Sequence, residues 1–270
     1  MSFKQTVLMT GATGLVGTTL RSRLRRPGRT IRLVGHRTKI ENLAEGEEYF
    51  RGSFIDMGQM EEACRGVDAV IDLARFEIGE KHSVETWELV TEVNIRGAHT
   101  MYEAARRQGV KRFIYASSNH AVGFYPRPKK PLGEYLSPLP DTHYGVGKVL
   151  GEALGSLYYN RFGMEVICVR IGSQFPKPTD VRMLSTWFSP DDTGRCYEAC
   201  LTTPNPGYRI IWGVSNNTRG FFSLKEGREI GYEPQDDSEV YAAELVEKFG
   251  EISEGDPLLK YVGGVSTILP

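Results

Sequence analysis

The chain has 270 residues, of which 40% are hydrophobic, 25% charged and 10% aromatic, a balance that supports a sizeable core and excludes disorder as the dominant state. Thirty-three basic residues against 34 acidic ones leave a net charge of −1, so no global field draws the chain to nucleic acid or to an anionic membrane. Its apolar runs fall short of the roughly 20 residues of a membrane helix, Met1–Gln5 shows no secretory pattern, and four scattered cysteines make no disulfide framework, so a cytoplasmic location is expected.

Short β-rich runs alternate with helical stretches, the order of a parallel sheet with crossover helices. Thr6–Thr10 reads as the first strand, and Leu15, Val16, Leu20 and Leu24 follow at helical spacing. Strands are expected at Ile31–Val34, Ala69–Ala74, Phe113–Ser117 and Glu165–Ile171, with helices over Val84–Gln108 and Tyr144–Phe162. Such continuous apolar strands suit a sheet covered on both faces. Beyond Ile171, prolines at 176, 178, 190, 204 and 206 punctuate the chain, so helices there should be brief; Ser189-Pro190-Asp191-Asp192 gives one good helix start. The expected fold class is α/β, a Rossmann-like doubly wound parallel sheet. Residues 1–171 form the dinucleotide-binding domain and 172–270 a small, irregular substrate-binding region packed on it.

The segment Gly11-Ala12-Thr13-Gly14-Leu15-Val16-Gly17 lies between the first strand and the first helix. Glycines there permit a tight turn and let backbone N–H groups approach a pyrophosphate at the helix N-terminus. Its Gly-x-x-Gly-x-x-Gly spacing, in that position, points to dinucleotide binding. At the end of the second strand a carboxylate would take the adenosine ribose, and an arginine a 2′-phosphate. The chain has Gly35-His36-Arg37-Thr38-Lys39 there, with no acid, which leans the expectation towards NADP over NAD.

Tyr144 and Lys148 stand four residues apart at a helix start and so share a face. A phenol is a poor base at neutral pH, and an adjacent ammonium favours its phenolate, a workable acid/base for a hydroxyl proton while hydride leaves the neighbouring carbon. The polar strand end Ser117-Ser118-Asn119-His120 precedes them, completing a Ser/Tyr/Lys set on a nucleotide-binding sheet.

With Asn94 in the long helix, these features resemble the extended short-chain dehydrogenases/reductases, the NAD-dependent epimerase/dehydratase group. Tyr115–His120 with Gly123-Phe124-Tyr125, Arg170–Ser173 with Phe175-Pro176, Arg182-Met183-Leu184 with Thr186-Trp187, Asn217-x-Arg219 and Gly231-Tyr232 resemble the uronate dehydrogenases over nearly the whole chain. The resemblance implies oxidation of the C1 hydroxyl of a sugar acid to a lactone with NAD. It implies Tyr144 as base, Lys148 favouring its phenolate and holding the nicotinamide ribose, Ser118 bonding the reacting oxygen, and Asn94 supporting the lysine. It places the cofactor against Gly11, Thr13, Gly14, Leu15, Val16, Gly17, His36, Arg37, Ser53, Phe54, Leu73, Ala74, Arg75, Asn94, Ser117, Tyr144, Lys148 and Ile171. The sugar would meet Ser118, Asn119, His120 and Ser173, with Arg182 on its carboxylate, since a guanidinium binds a carboxylate bidentately. The chain departs from that pattern at Gly35–Arg37, at Ser53, and over Asp72–Glu77, where the family has a His-Phe-Gly-Gly-type turn.

The partner expected is therefore a small sugar or sugar acid, not nucleic acid or a membrane, with assembly as a homo-oligomer. Alternatives are a dehydrogenase of a neutral or phosphorylated sugar, a nucleotide-sugar epimerase or reductase, and a non-catalytic NADP sensor. No metal site is expected, because Cys196 and Cys200 have no histidine nearby and suit a buried apolar role. Arg21, Arg23, Arg25 and Arg26 read as a solvated basic face.

Overall fold

The computed structural model describes residues 4–36, 39–75, 84–129, 131–251, 253 and 255–267. The elements run β1 (Gln5–Thr10), α1 (Leu15–Arg23), β2 (Arg29–Gly35), β3 (Glu47–Arg51), α2 (Met57–Ala63), β4 (Ala69–Asp72), α3 (Val84–Val90), a π-helical turn (Thr91–Arg96), α4 (Gly97–Arg107) and β5 (Arg112–Ser118). A 3-10 turn (Asn119–Val122) leads to α5 (His143–Phe162), β6 (Glu165–Ile171), β7 (Ser173–Gln174), α6 (Met183–Thr186), β8 (Trp187–Phe188), α7 (Pro190–Thr202) and β9 (Tyr208–Gly213). Short helical segments follow to Thr267.

Seven parallel strands form one sheet in the order β3-β2-β1-β4-β5-β6-β9. Alternation along each strand sends its side chains to two cores. Val7, Met9, Ile114 and Ile167 pack on one face with Leu20 and Leu24 beyond it and Cys196, Tyr197 and Cys200 of α7. Leu8, Val70, Phe113 and Val166 pack on the other with Met60, Met101, Tyr102 and Tyr158 of α2, α4 and α5. The sheet is doubly wound, and strand order reverses between β1 and β4, where open α/β sheets place their ligands. Among the described residues, no helix is long and apolar enough to cross a membrane.

Five features depart from the sequence expectation. Strand β3 and helix α2 have no counterpart in it: β3 is a half-buried edge strand with the mixed sequence Glu-Glu-Tyr-Phe-Arg, and α2 has seven residues announced only by its Asp56 cap. The expected helix 84–108 contains the π-helical turn, a single-turn insertion that re-aims the side chains around Asn94. The sheet does not end at 171, because β9 adds a seventh strand beside β6. Helix α7 is also not brief: Ser189 caps it by accepting from the Asp192 N–H, Pro190 starts it, and no further proline interrupts its 13 residues.

The basic face of α1 is largely consumed inside the molecule. Arg21 pairs with Glu47 at 2.7 Å and Arg23 with Asp191 at 2.8 Å, which ties α1 to β3 and α7, and Arg26, just past the helix, adds a pair with Glu198 of α7 at 2.5 Å. Cys196 and Cys200 are fully buried thiols in the apolar core, as expected of small hydrophobes.

Candidate active site

The glycine loop closes because Gly11 adopts φ +63°, a conformation that L side chains rarely adopt. A Cβ placed on Gly17 would lie 2.3 Å from the Gly11 carbonyl oxygen, so the first turn of α1 can only approach the loop without one. Thr10 braces the turn from below: its hydroxyl donates to Asp72 at 2.6 Å and accepts from the N–H groups of Leu73 and Ala74. Burial pushes the Asp72 carboxyl above the usual carboxylate range, with the Thr10 hydrogen bond opposing it. The α1 N-terminus has no side-chain cap, so its first N–H groups remain available to an anion.

Above the loop lies a cleft of about 240 Å³. Gly11, Thr13, Gly14, Leu15, Val16 and Gly17 form its floor, with Leu73 and Arg75 after β4, Ser117 on β5, Tyr144 and Lys148 on α5, and Ile171 on β6. Most of the residues expected to hold a cofactor thus meet in one place. The cradle fits a dinucleotide: tight glycine packing, a free helix N-terminus and a buried cation at the far end suit a pyrophosphate and a nicotinamide ribose. His36, Ser53 and Phe54 do not line this cleft. His36 is exposed just past β2, Ser53 edges a separate depression with Asp56 and His99, and Phe54 packs against Gly97. Arg37 lies outside the described residues.

At the cleft's inner end, α5 is started by Thr142, whose hydroxyl accepts from the Gly145 N–H. That cap fixes the first turn and with it Tyr144 and Lys148. Lys148 is 1% exposed, and its ammonium donates to the Ala116 carbonyl at 2.6 Å. It lies 4.9 Å from the Tyr115 ring centroid and 5.4 Å from that of Tyr144. Asn94, buried on the π-helical turn, packs against Gly147, the residue before Lys148. Ser118 is buried at the end of β5, donates to the Asn119 side-chain oxygen and caps the 3-10 turn through the His120 N–H.

The residues expected around a sugar come from three separate segments. His120 sets its ring edge-on to Tyr144, with centroids 6.0 Å apart, and its Nδ1 lies 2.9 Å from Asp141. Asn119 Nδ2 and Arg182 Nη2 both donate to the Val262 carbonyl, at 3.2 and 2.7 Å. Burial lowers the affinity of the Arg182 guanidinium for its proton, with Asp180 and Asp141 opposing it. Ser173 is turned to a different partner, its hydroxyl 2.9 Å from that of Thr186. Sequence reasoning missed three contributors: the Ala116 and Val262 carbonyls, which carry no side-chain signature, and Asp141, which reads as part of a helix start.

The model of the NAD dependent epimerase/dehydratase family matches residues 7–188. Uronate dehydrogenase of Pseudomonas putida is 36% identical over 262 residues, covering 97% of this chain and 95% of that protein. The NAD-dependent glucose-6-phosphate dehydrogenase of Haloferax volcanii is 33% identical, covering 89% and 97%. The crystal structure of uronate dehydrogenase from Agrobacterium tumefaciens superposes with a TM-score of 0.89 at 32% identity, over 99% of this chain and 98% of that one.

Proposed function

Because the chain belongs to the NAD dependent epimerase/dehydratase family, we propose that it oxidises the C1 hydroxyl of a uronate to the lactone. The observation that carries this reading is the convergence of Arg182 and Asn119 on one oxygen, the Val262 carbonyl, with Asn119 next in sequence to His120, whose ring stands edge-on to Tyr144. A carboxylate oxygen asks for the same donors, and a guanidinium has further N–H groups to give it. The likeness to uronate dehydrogenases over almost the whole chain supports the same substrate class.

The glycine-floored cleft would hold NAD, which would supply the acceptor for the hydride leaving C1. Tyr144 takes the proton of the C1 hydroxyl, so that loss of hydride and proton leaves the lactone carbonyl. Lys148, held by Ala116, puts positive charge where the phenolate develops and meets the nicotinamide ribose. Ser118 hydrogen-bonds the reacting oxygen, and Asn94 holds the first turns of α5 in place behind the lysine.

The finer cofactor reading is a preference for NADP over NAD. It is supported by the stretch Gly35–Lys39, which has two cations and no carboxylate to repel a 2′-phosphate. A charge-assisted contact of Arg37 would be worth about 1.5–3 kcal/mol, at least roughly tenfold in affinity. Arg37→Ala should weaken NADP binding much more than NAD binding in a titration, with the gap closing in high salt. Tighter binding of NAD by the wild type would discard this preference.

The test of the function itself is cofactor reduction with glucuronate, galacturonate, glucose and glucose 6-phosphate. Turnover of the uronates well above the others is expected. Equal or better turnover of the neutral or phosphorylated sugar would replace the sugar-acid reading.

A further inference from the structure

Asp141 lies just before the helix that carries Tyr144, and its side chain is fully buried. Both of its oxygens face the His120 Nδ1, at 2.9 and 3.0 Å. The carboxyl group is held between two glycines: a Cβ on Gly123 would fall 2.1 Å from it, and one on Gly263 1.7 Å. Gly123 and Gly263 are themselves joined by a backbone hydrogen bond of 2.9 Å, so the carboxyl group sits in a slot with no slack. Such a fit is costly in side-chain freedom and leaves the imidazole one orientation.

A carboxylate has only acceptors, so the hydrogen of this pair belongs to Nδ1. In the neutral ring Nε2 is then an acceptor. Among the described residues Nε2 has no hydrogen-bond partner, and the His120 side chain is 22% exposed at the site, edge-on to the Tyr144 ring. A sugar hydroxyl, with its one O–H donor, is a group that would use it. We propose that Asp141 is a positioning residue: through His120 it presents a fixed hydrogen-bond acceptor, Nε2, to a hydroxyl of the sugar beside Tyr144. The inference rests on the sugar-oxidation reading for its ligand, but the tautomer it requires belongs to the protein alone.

Asp141→Asn keeps the shape that fits between Gly123 and Gly263, while its amide can donate to Nδ1 and release the opposite tautomer. Two measurements decide the matter. In the wild type with saturating NAD, long-range 15N–1H correlation spectra of the neutral imidazole should show His120 with its hydrogen on Nδ1. An Nε2–H tautomer overturns the proposal, whether or not any variant folds and whatever the substrate. In Asp141→Asn, KM for glucuronate should rise about five- to tenfold, the scale of one lost hydrogen bond, while kcat changes by less than about threefold. The same substitution in a His120→Ala background should raise KM no further. An additional rise there, or an unchanged KM in the single variant, means that Asp141 serves only to seat Gly263 and the proposal fails. Absence of turnover by the wild type on every sugar would instead remove the oxidation reading and leave the tautomer result standing.

Discussion

The two halves of the proposed active site are assembled differently. The cofactor half is nearly contiguous in sequence at each of its parts: one strand–loop–helix unit supplies the floor from Gly11 to Gly17, and one helical turn supplies both Tyr144 and Lys148. The proposed sugar half is drawn from segments far apart in the chain, with Asn119 and His120 after β5, Arg182 before α6, and the backbone of Val262 and Gly263 near the end. In the first half, loop geometry and a helix cap hold the groups. In the second, one carbonyl and one carboxylate act as hubs to which distant side chains are tied. Changes in the first half should therefore strike the chemistry common to every substrate, and changes in the second should discriminate between substrates.

Substitutions can break that division. Tyr144→Phe should lower turnover by at least about two orders of magnitude on every sugar, the usual scale for loss of a general acid/base, with cofactor affinity within a few-fold. Steady-state rates together with a cofactor titration measure both. Near-normal turnover would take the proton-transfer role away from Tyr144 and with it the distinct character of the first half.

Arg182→Ala should act more selectively. Loss of a charge-assisted contact worth about 1.5–3 kcal/mol corresponds to a rise in KM of roughly tenfold or more for a uronate, with a neutral aldose little affected. Equal losses on both sugars would mean that Arg182 matters only as an anchor for the terminal segment through Val262, and the second half would lose its part in selecting the substrate.

The smallest effect is expected at a site belonging to neither half. Hydrogen bonds from Arg106, then Arg107 and Tyr158, hold the Glu103 carboxyl on α4 down at about 2, against burial that would raise it. Its value in the folded chain is thus below its unfolded one of about 4.3. The stabilisation is present above the unfolded value and is lost as pH falls through the folded one, because the unfolded chain takes up the proton first. Glu103→Gln should cost well under about 1 kcal/mol at neutral pH, as partly solvated ion pairs do, and flatten the loss of stability between pH ~4 and ~2 in denaturant titrations. Turnover should not change, and a large catalytic loss there would show that both halves depend on the packing of α4.

The sheet was readable wherever a strand is buried on both faces. Glu165–Ile171 carries an apolar run whose limits are those of β6, and β5 and β2 extend their expected cores by one or two residues at each end. Edge strand β3 was not readable, since half-exposure removes the apolar signal, and neither was β9, which follows two prolines in the irregular tail yet pairs along its own full length with β6. The π-helical turn around Asn94 has no periodicity by which to find it. Among the proposed site residues, the glycine loop with Tyr144 and Lys148 lines one cleft. His36, Ser53 and Phe54, proposed at the cofactor from the second-strand end and from resemblance, do not line the cleft above the glycine loop.

What the sequence alone determined is the chemistry close in the chain: a glycine turn between a strand and a helix, and a tyrosine and lysine one turn apart on a capped helix. Those arrangements follow from local backbone geometry, which is the same wherever the segment sits in the fold. Tertiary structure decided what each polar group outside those segments meets. It set Asp141 behind His120, gave Arg182 and Asn119 a shared carbonyl from the far end of the chain, and turned Ser173 to Thr186. Such partners are fixed by which surfaces exclude water against one another, and sequence spacing carries no measure of that.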